Sequence, residues 1–277
     1  MHHLGSTLAL ERHLGDLLAG GKKFFVPYLT AGLPSPEGFV DLAAELSEAA
    51  DTLEVGIPFS DPIMDGPVIQ EASTRALGAG ITVERCFELI RQAVPHLSAP
   101  VVAMTYFNPV HHLGCDMFAK ALEEAGGAGV IVPDLPYEES GELAAALEVR
   151  GLAAVQMVAP TTPPERTATL SERSRGFVYA VSTLGVTGER EALDRLARVV
   201  VERIRPHTGL AVLLGIGIST GDQAHQAAEI ADGVIVGSAI MKRILEDDAT
   251  AALGLAREIR AALDRAFDSS TERGRGG

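Results

Sequence analysis

Eight short apolar runs, most of them followed by a longer stretch with helically spaced Ala and Leu, constrain this chain more than any other feature. They are Phe24 to Leu29, Thr52 to Val55, Val101 to Thr105, Gly129 to Val132, Ala153 to Met157, Phe177 to Val181, Ala211 to Leu214 and Gly233 to Val236. Their apolarity is nearly continuous, which marks strands covered on both faces, as in a parallel sheet flanked by helices. Between them, Glu37 to Ala49, Glu139 to Val149, Arg190 to Ile204 and Gly221 to Ile230 read as crossover helices. Ser35-Pro36-Glu37 and Thr162-Pro163-Pro164-Glu165 carry start signals, a hydroxyl at the cap and proline at the first helical position. The β-then-α order predicts an α/β protein, and it fits a closed (β/α)8 TIM barrel or an open doubly wound sheet.

A length of 277 residues lies within the range of one such barrel, and 47% hydrophobic residues supply a large core. Residues 1–268 are expected to form one barrel domain. Leu4, Leu8, Leu10, Leu14, Leu17 and Leu18 predict an extra N-terminal helix capping the barrel's N-terminal end. The last helix is expected over Ala249 to Phe267, and residues 269–277, polar and glycine-rich, are expected to fray as a disordered tail.

The formal net charge of −14 argues against a nucleic-acid partner, whose phosphate backbone calls for clustered cations. A single small phosphate is still compatible, because helix N-termini bind anions through backbone N–H groups. Cys86 and Cys115 stand far apart without Cys-x-x-Cys spacing, which predicts neither a disulfide framework nor a zinc site. The N-terminus lacks a basic region followed by an apolar run, and no stretch reaches the roughly 18 apolar residues of a membrane span. A cytoplasmic protein is expected. The adjacent pairs His2-His3 and His111-His112 read as solvated loop residues, so no metal is expected.

In a parallel barrel the reactive groups lie just beyond the strands' carboxyl ends. The second run places Glu54 inside an apolar strand, where a carboxylate must be hydrogen-bonded, paired or raised in pKa. It is a structural acid bonded to a nearby Tyr or Ser, or a catalytic one. Asp65 follows in an Asp-Gly-Pro turn, where an aspartate often bonds its own backbone. After the last three runs come Ser182 to Glu189, Gly215 to Ser219 and Gly237-Ser238-Ala239, small-residue turns that let amides approach an anion. Late loops of barrels frequently bind phosphate.

The string Leu53-Glu54-Val55-Gly56-Ile57-Pro58-Phe59-Ser60-Asp61-Pro62, continued by Asp65-Gly66-Pro67-Val68-Ile69-Gln70, resembles the signature segment of tryptophan synthase α chains. Phe25 to Gly32, Met104 to Pro109, Val132 to Pro136 and Gly185 to Gly188 match the same family in order, over roughly residues 15 to 265. The resemblance implies the barrel. It also implies retro-aldol cleavage of indole-3-glycerol phosphate to indole and glyceraldehyde 3-phosphate, without a metal or organic cofactor. Glu54 falls on the family's proton-shuttling glutamate and Asp65 on its loop aspartate, which bonds the indole N–H. By the same resemblance Tyr179 joins the pocket near Glu54, and Tyr28 and Tyr106 lie by the indole. Gly188, Gly217, Gly237 and Ser238 match the phosphate binders, and Thr187 matches a residue that bonds the loop aspartate on lid closure. A tryptophan synthase β subunit is the implied partner, with Asn108 to His112 near its interface.

Three positions depart from the family pattern. Leu33 replaces a common aspartate, Met64 an alanine, and Ile216 a phenylalanine beside the indole. They put coupling to a β subunit and strict substrate preference in question. Two other readings stay open: a free-standing indole-3-glycerol phosphate lyase, and a weakly catalytic regulatory subunit, which retention of both carboxylates disfavours. A phosphate-binding isomerase or aldolase is the fallback, although the runs carry no lysine for Schiff-base chemistry.

Overall fold

The computed structural model describes residues 9–181 and 190–274. Its first half runs α1 (Ala9–Ala19), β1 (Phe24–Thr30), α2 (Gly38–Ser47), β2 (Leu53–Gly56), α3 (Pro67–Gly78), α4 (Val83–Ala93), β3 (Val101–Met104), α5 (Phe107–Leu113), α6 (Cys115–Glu124) and β4 (Gly129–Ile131). There follow α7 (Gly141–Val149), β5 (Ala153–Val158), α8 (Pro164–Arg173), β6 (Phe177–Val181), α9 (Arg190–Ile204), β7 (Ala211–Gly215), α10 (Gly221–Ala228), β8 (Gly233–Val236), α11 (Ser238–Leu245) and α12 (Ala249–Gly274). The strands pair in parallel in sequence order, and β8 pairs back to β1, closing the barrel and excluding the open sheet.

Strand alternation divides the apolar residues into two layers. Phe24, Val26, Val102, Ile131, Val155, Phe177, Leu213 and Ile235 fill the barrel interior. Phe25, Leu29, Leu53, Val55, Val130, Val178 and Val234 point outward into the layer shared with the helices. Two buried faces explain why the runs are apolar without interruption.

The N-terminal helix is present over Ala9–Ala19, while Leu4 and Leu8 of the expected apolar face lie outside the described residues. Leu10 and Leu14 of α1 are buried in the interior cluster and stopper its lower end. Each contributes about 2 kcal/mol by area. A side chain at Gly176, where φ is +82°, would lie 2.7 Å from Leu10 Cδ2, so glycine is the residue that admits this plug. Nearby, buried Asp51 accepts from the Phe25 N–H at 2.9 Å and pairs with Lys22 at 2.6 Å and Arg260 at 2.8 Å.

Three local expectations change. Ser35 Oγ accepts the Gly38 N–H at 3.1 Å, but α2 starts at Gly38, two residues beyond the proline. Thr162 closes the preceding turn by accepting the Ala159 N–H at 3.0 Å, and Pro163 occupies the cap of α8. The last helix runs to Gly274 instead of Phe267, because 268–273 contain no glycine or proline to stop it. Among the described residues no helix is long and apolar enough to cross a membrane.

Candidate active site

Glu54 stands across from Tyr28 of β1 and Val102 of β3, so the ladder turns it toward the interior. It is 1% exposed, and its Oε2 meets no hydrogen-bond partner among the described residues. Asp51, equally buried, is satisfied by two cations and an amide; Glu54 Oε2 has no comparable support, and the structural reading of a carboxylate bonded to Tyr or Ser fails for that oxygen. Desolvation, with a smaller contribution from the charge of Asp65, pushes Glu54 up to about 8 from an ordinary 4.5.

Asp65 lies in the loop between β2 and α3. Its N–H donates to the Pro62 carbonyl at 3.0 Å, and Gln70 Nε2 donates to its carbonyl at 2.9 Å. With the main chain tied in this way, the carboxylate turns to a distant partner, accepting from Tyr106 Oη at 3.1 Å. The same hydroxyl accepts the Met64 N–H at 2.9 Å, and Phe59 stacks on the Tyr106 ring at 5.3 Å. Tyr106 thus clamps the loop from one side while Phe59 covers its face. Partial burial raises Asp65 to about 6, and the Tyr106 bond opposes that rise.

Two further tyrosines close the interior, and both phenols are held neutral by burial. Tyr28 Oη accepts from Thr30 Oγ1 at 3.3 Å and lies against Gly56. Tyr179 lies against Gly215, where a Cβ would be 2.7 Å from its ring and 2.8 Å from its hydroxyl. Gly56 and Gly215 stood in the signature segment and in a small-residue turn of the sequence, but the room they leave to the two tyrosine rings was not foreseen. The available signal was a glycine at a strand's carboxyl end, directly before the reactive loop.

Around the upper rim, Gly217 has φ +70°, a conformation that favours glycine, and Gly237 caps α11 with no side-chain hydrogen bond. Neighbouring α10 is capped by its own Thr220. Ser238, the first residue of α11, is exposed. Thr187 and Gly188, with the rest of Ser182 to Glu189, lie outside the described residues. His111 and His112 are exposed, but on α5 and not in a loop. Among the described residues no three His, Cys, Asp or Glu side chains cluster to hold a metal. Leu33 is buried at 5% in the barrel–helix layer, so its side chain belongs to the core and not to a surface contact.

The Tyr106 clamp has a measurable consequence. Tyr106→Phe removes the donor to Asp65 and the acceptor for Met64, and is expected to lower kcat/KM for the reaction at these carboxylates about 10-fold, the loss of one charge-assisted hydrogen bond. Because that bond holds Asp65 down, the acid limb of the pH profile should also move upward. A profile that stays in place would show that Tyr106 acts on packing alone.

A closed parallel barrel with two carboxylates at the carboxyl end of its second strand, both raised toward neutrality, defines a barrel enzyme of the acid–base class. The family model of the tryptophan synthase alpha chain matches residues 14–269. A tryptophan synthase alpha chain of Gloeobacter violaceus is 43% identical over 244 residues, covering 87% of this chain and 88% of its own. One from Synechococcus elongatus is 40% identical over 259 residues, covering 93% and 97%. A structure of Mycobacterium tuberculosis tryptophan synthase superposes with a TM-score of 0.86 at 37% identity, covering 93% of this chain and 99% of that one. The alpha subunit of Legionella pneumophila gives 0.85 at 35% identity, covering 94% and 100%. The chain belongs to the tryptophan synthase alpha chain family. It is therefore a lyase of tryptophan biosynthesis, and the reaction that follows from the family is cleavage of indole-3-glycerol phosphate.

Proposed function

We propose that Glu54 and Asp65 divide the cleavage of indole-3-glycerol phosphate between them, with the substrate's phosphate seated at Gly217, Gly237 and Ser238. The observation that carries this reading is the paired environment: two carboxylates of one loop and strand, raised to about 8 and about 6. Between those values Glu54 holds its proton while Asp65 is ionised. Cleavage needs that combination. The bond from indole C3 to the side chain breaks when C3 is protonated and the side-chain hydroxyl gives up its proton. Glu54 supplies the first proton and recovers the second. Ionised Asp65 accepts the indole N–H and stabilises the positive charge developing on the ring nitrogen. Tyr28 and Tyr179 line the pocket beside Glu54, and Tyr106 aims Asp65. At the other end of the substrate, the uncapped N–H groups of α11 and its dipole favour the phosphate. Thr187 and Gly188 complete the site on the family pattern alone.

The reading extends to a tryptophan synthase β subunit as partner and to a cytoplasmic location. Ile63 and Met64, 80% and 60% exposed, project from the loop directly before Asp65. Helix α5, which begins one residue after Tyr106, carries the Asn108–His112 segment implied in the same interface. A partner covering both would press on the two ends of the Tyr106–Asp65 bond, and that link would make the isolated chain slow and the complex fast.

The test is steady-state indole release by the purified chain across pH, with and without a tryptophan synthase β subunit. We expect slow release that rises strongly on adding β. The kcat/KM profile should be a bell that climbs through about 6 as Asp65 ionises and falls through about 8 as Glu54 loses its proton. Fast release indifferent to β would identify a free-standing lyase, and a profile flat from pH 5 to 9 would remove both carboxylates from the chemistry.

A further inference from the structure

Between the outer faces of β4 and β5 and the helices α7 and α8 lies a cavity of about 250 Å³. Val130 and Ala154 of the strands, Leu143 and Leu147 of α7 and Leu170 of α8 make its apolar wall. None of Glu54, Asp65, Tyr28, Tyr106 or Tyr179 lines it, and of its lining only Val155 and Met157 belong to the barrel-interior layer. Most of its polar groups are already committed. Ser140 Oγ donates to the Tyr137 carbonyl at 2.7 Å, and Thr162 Oγ1 holds the Ala159 N–H. Arg166, the one cation on the lining, forms a bidentate pair with Glu138 at 2.7 and 2.9 Å. Gln156 differs. Its backbone N–H goes to Ser174 Oγ at 2.9 Å, while its half-buried side-chain amide faces the cavity and forms no hydrogen bond with the described residues.

Size and charge narrow the occupant. A cavity of about 150 Å³ lined by apolar side chains takes benzene, and pockets for drug-sized ligands begin near 300 Å³. The space between β5 and α7 falls between these limits, which suits a bicyclic ring system. With Arg166 neutralised by Glu138, the lining offers a phosphate no free cation, so the phosphorylated substrate and its triose phosphate product are disfavoured. We propose that this cavity is a second binding site for a neutral bicyclic heteroaromatic with one hydrogen-bonding edge, and that indole is its ligand. The amide oxygen of Gln156 would accept the indole N–H, and the leucines would cover the rings. Gln156 and Met157 are consecutive on β5 and point to opposite faces, Met157 toward the barrel interior. Indole released in the chamber would then have a second seat on the far side of one strand. The choice of indole rests on the cleavage reaction; the site itself does not.

The chain contains no tryptophan, so indole fluorescence can be followed without an indole background from the protein. Titration of the full chain with indole should reveal two equivalents. A non-cleavable indolyl-alkyl phosphate should displace one of them. Ala144→Phe, which fills the cavity from α7, should remove the other, and the near-isosteric Gln156→Leu should weaken it roughly 5- to 10-fold through loss of one hydrogen bond. A single equivalent that the phosphate displaces completely would overturn the proposal, as would a second equivalent that survives both variants. Indole release measured on the same samples separates the two readings. Loss of cleavage with the second equivalent intact would support the cavity and count against the catalytic assignment alone.

Discussion

Glu54→Gln is expected to lower kcat for indole release about 10³-fold, within the ~10²–10⁴-fold range of general acid–base catalysis, with the affinity for glyceraldehyde 3-phosphate unchanged. Glutamine keeps the shape and the neutral charge that Glu54 has at pH 7, but it cannot pass a proton. Stability should move the other way. Folded Glu54 keeps its proton up to about 8, whereas the unfolded chain releases it near the ordinary 4.5. The folded state therefore binds more protons between those values. The stability linked to this group is fully present below about 4.5 and is lost as pH rises through about 8. The glutamine variant has no proton to release and escapes that loss, so it should gain on the parent protein as pH rises across this window, read as the difference in denaturant midpoints. Near-normal turnover would remove Glu54 from the proton transfers. A difference in midpoints that ignores pH would mean that the carboxylate is not buried in the way its surroundings require.

The barrel was legible because both faces of every strand are covered, so each announces itself as an unbroken apolar run. A carboxylate inside such a run is equally conspicuous, and Glu54 could be singled out before any contact was known. Its chemical state could not. Asp51, three residues earlier, is as deeply buried and is structural, because Lys22 and Arg260 converge on it from the two ends of the chain. Only the closed barrel separates a buried acid with two cations from one whose Oε2 has no partner among the described residues.

The contacts that tune the site were invisible for a similar reason. Asp65 and Tyr106 are 41 residues apart and meet because β2 and β3 are neighbours in register. Local turn chemistry, the natural reading of Asp-Gly-Pro, pointed Asp65 at its own backbone. Leu33 shows the same limit: the sequence marks its departure from an aspartate, and only the fold shows that the chain turns this side chain into the core. At the termini of helices, the ring of a proline and the side chain of a threonine each fit two neighbouring positions. The caps of α2 and α8 therefore moved by one or two residues without changing the fold.

Gly56→Ala should be among the most damaging single changes to this site, because a methyl group there would overlap Tyr28 Oη and Cζ. Tyr28 is buried at 7%, so the ring has little room to retreat. Gly237 is near it as well, where a Cβ would sit 3.4 Å from Tyr28 Cβ. Glu54 stands beside Tyr28 in the β1–β2 register. Displacing Tyr28 therefore disturbs Glu54 and the loop at Gly237 proposed to seat the phosphate. Overpacking of this kind costs about 1–3 kcal/mol of stability. A shift of roughly 1 Å in a positioned group can cost about 100-fold in rate, which is the loss in kcat/KM expected here. The cause can be isolated with a double-mutant cycle. Tyr28→Ala removes the obstructing ring at a cost of its own, about 3–5 kcal/mol for truncating a buried aromatic. Once the ring is gone, adding Gly56→Ala should cost little further, giving a coupling energy of about 1–3 kcal/mol in urea denaturation. Equal costs of Gly56→Ala in the two backgrounds would show that the glycine is required for its backbone and not for the room it leaves to Tyr28.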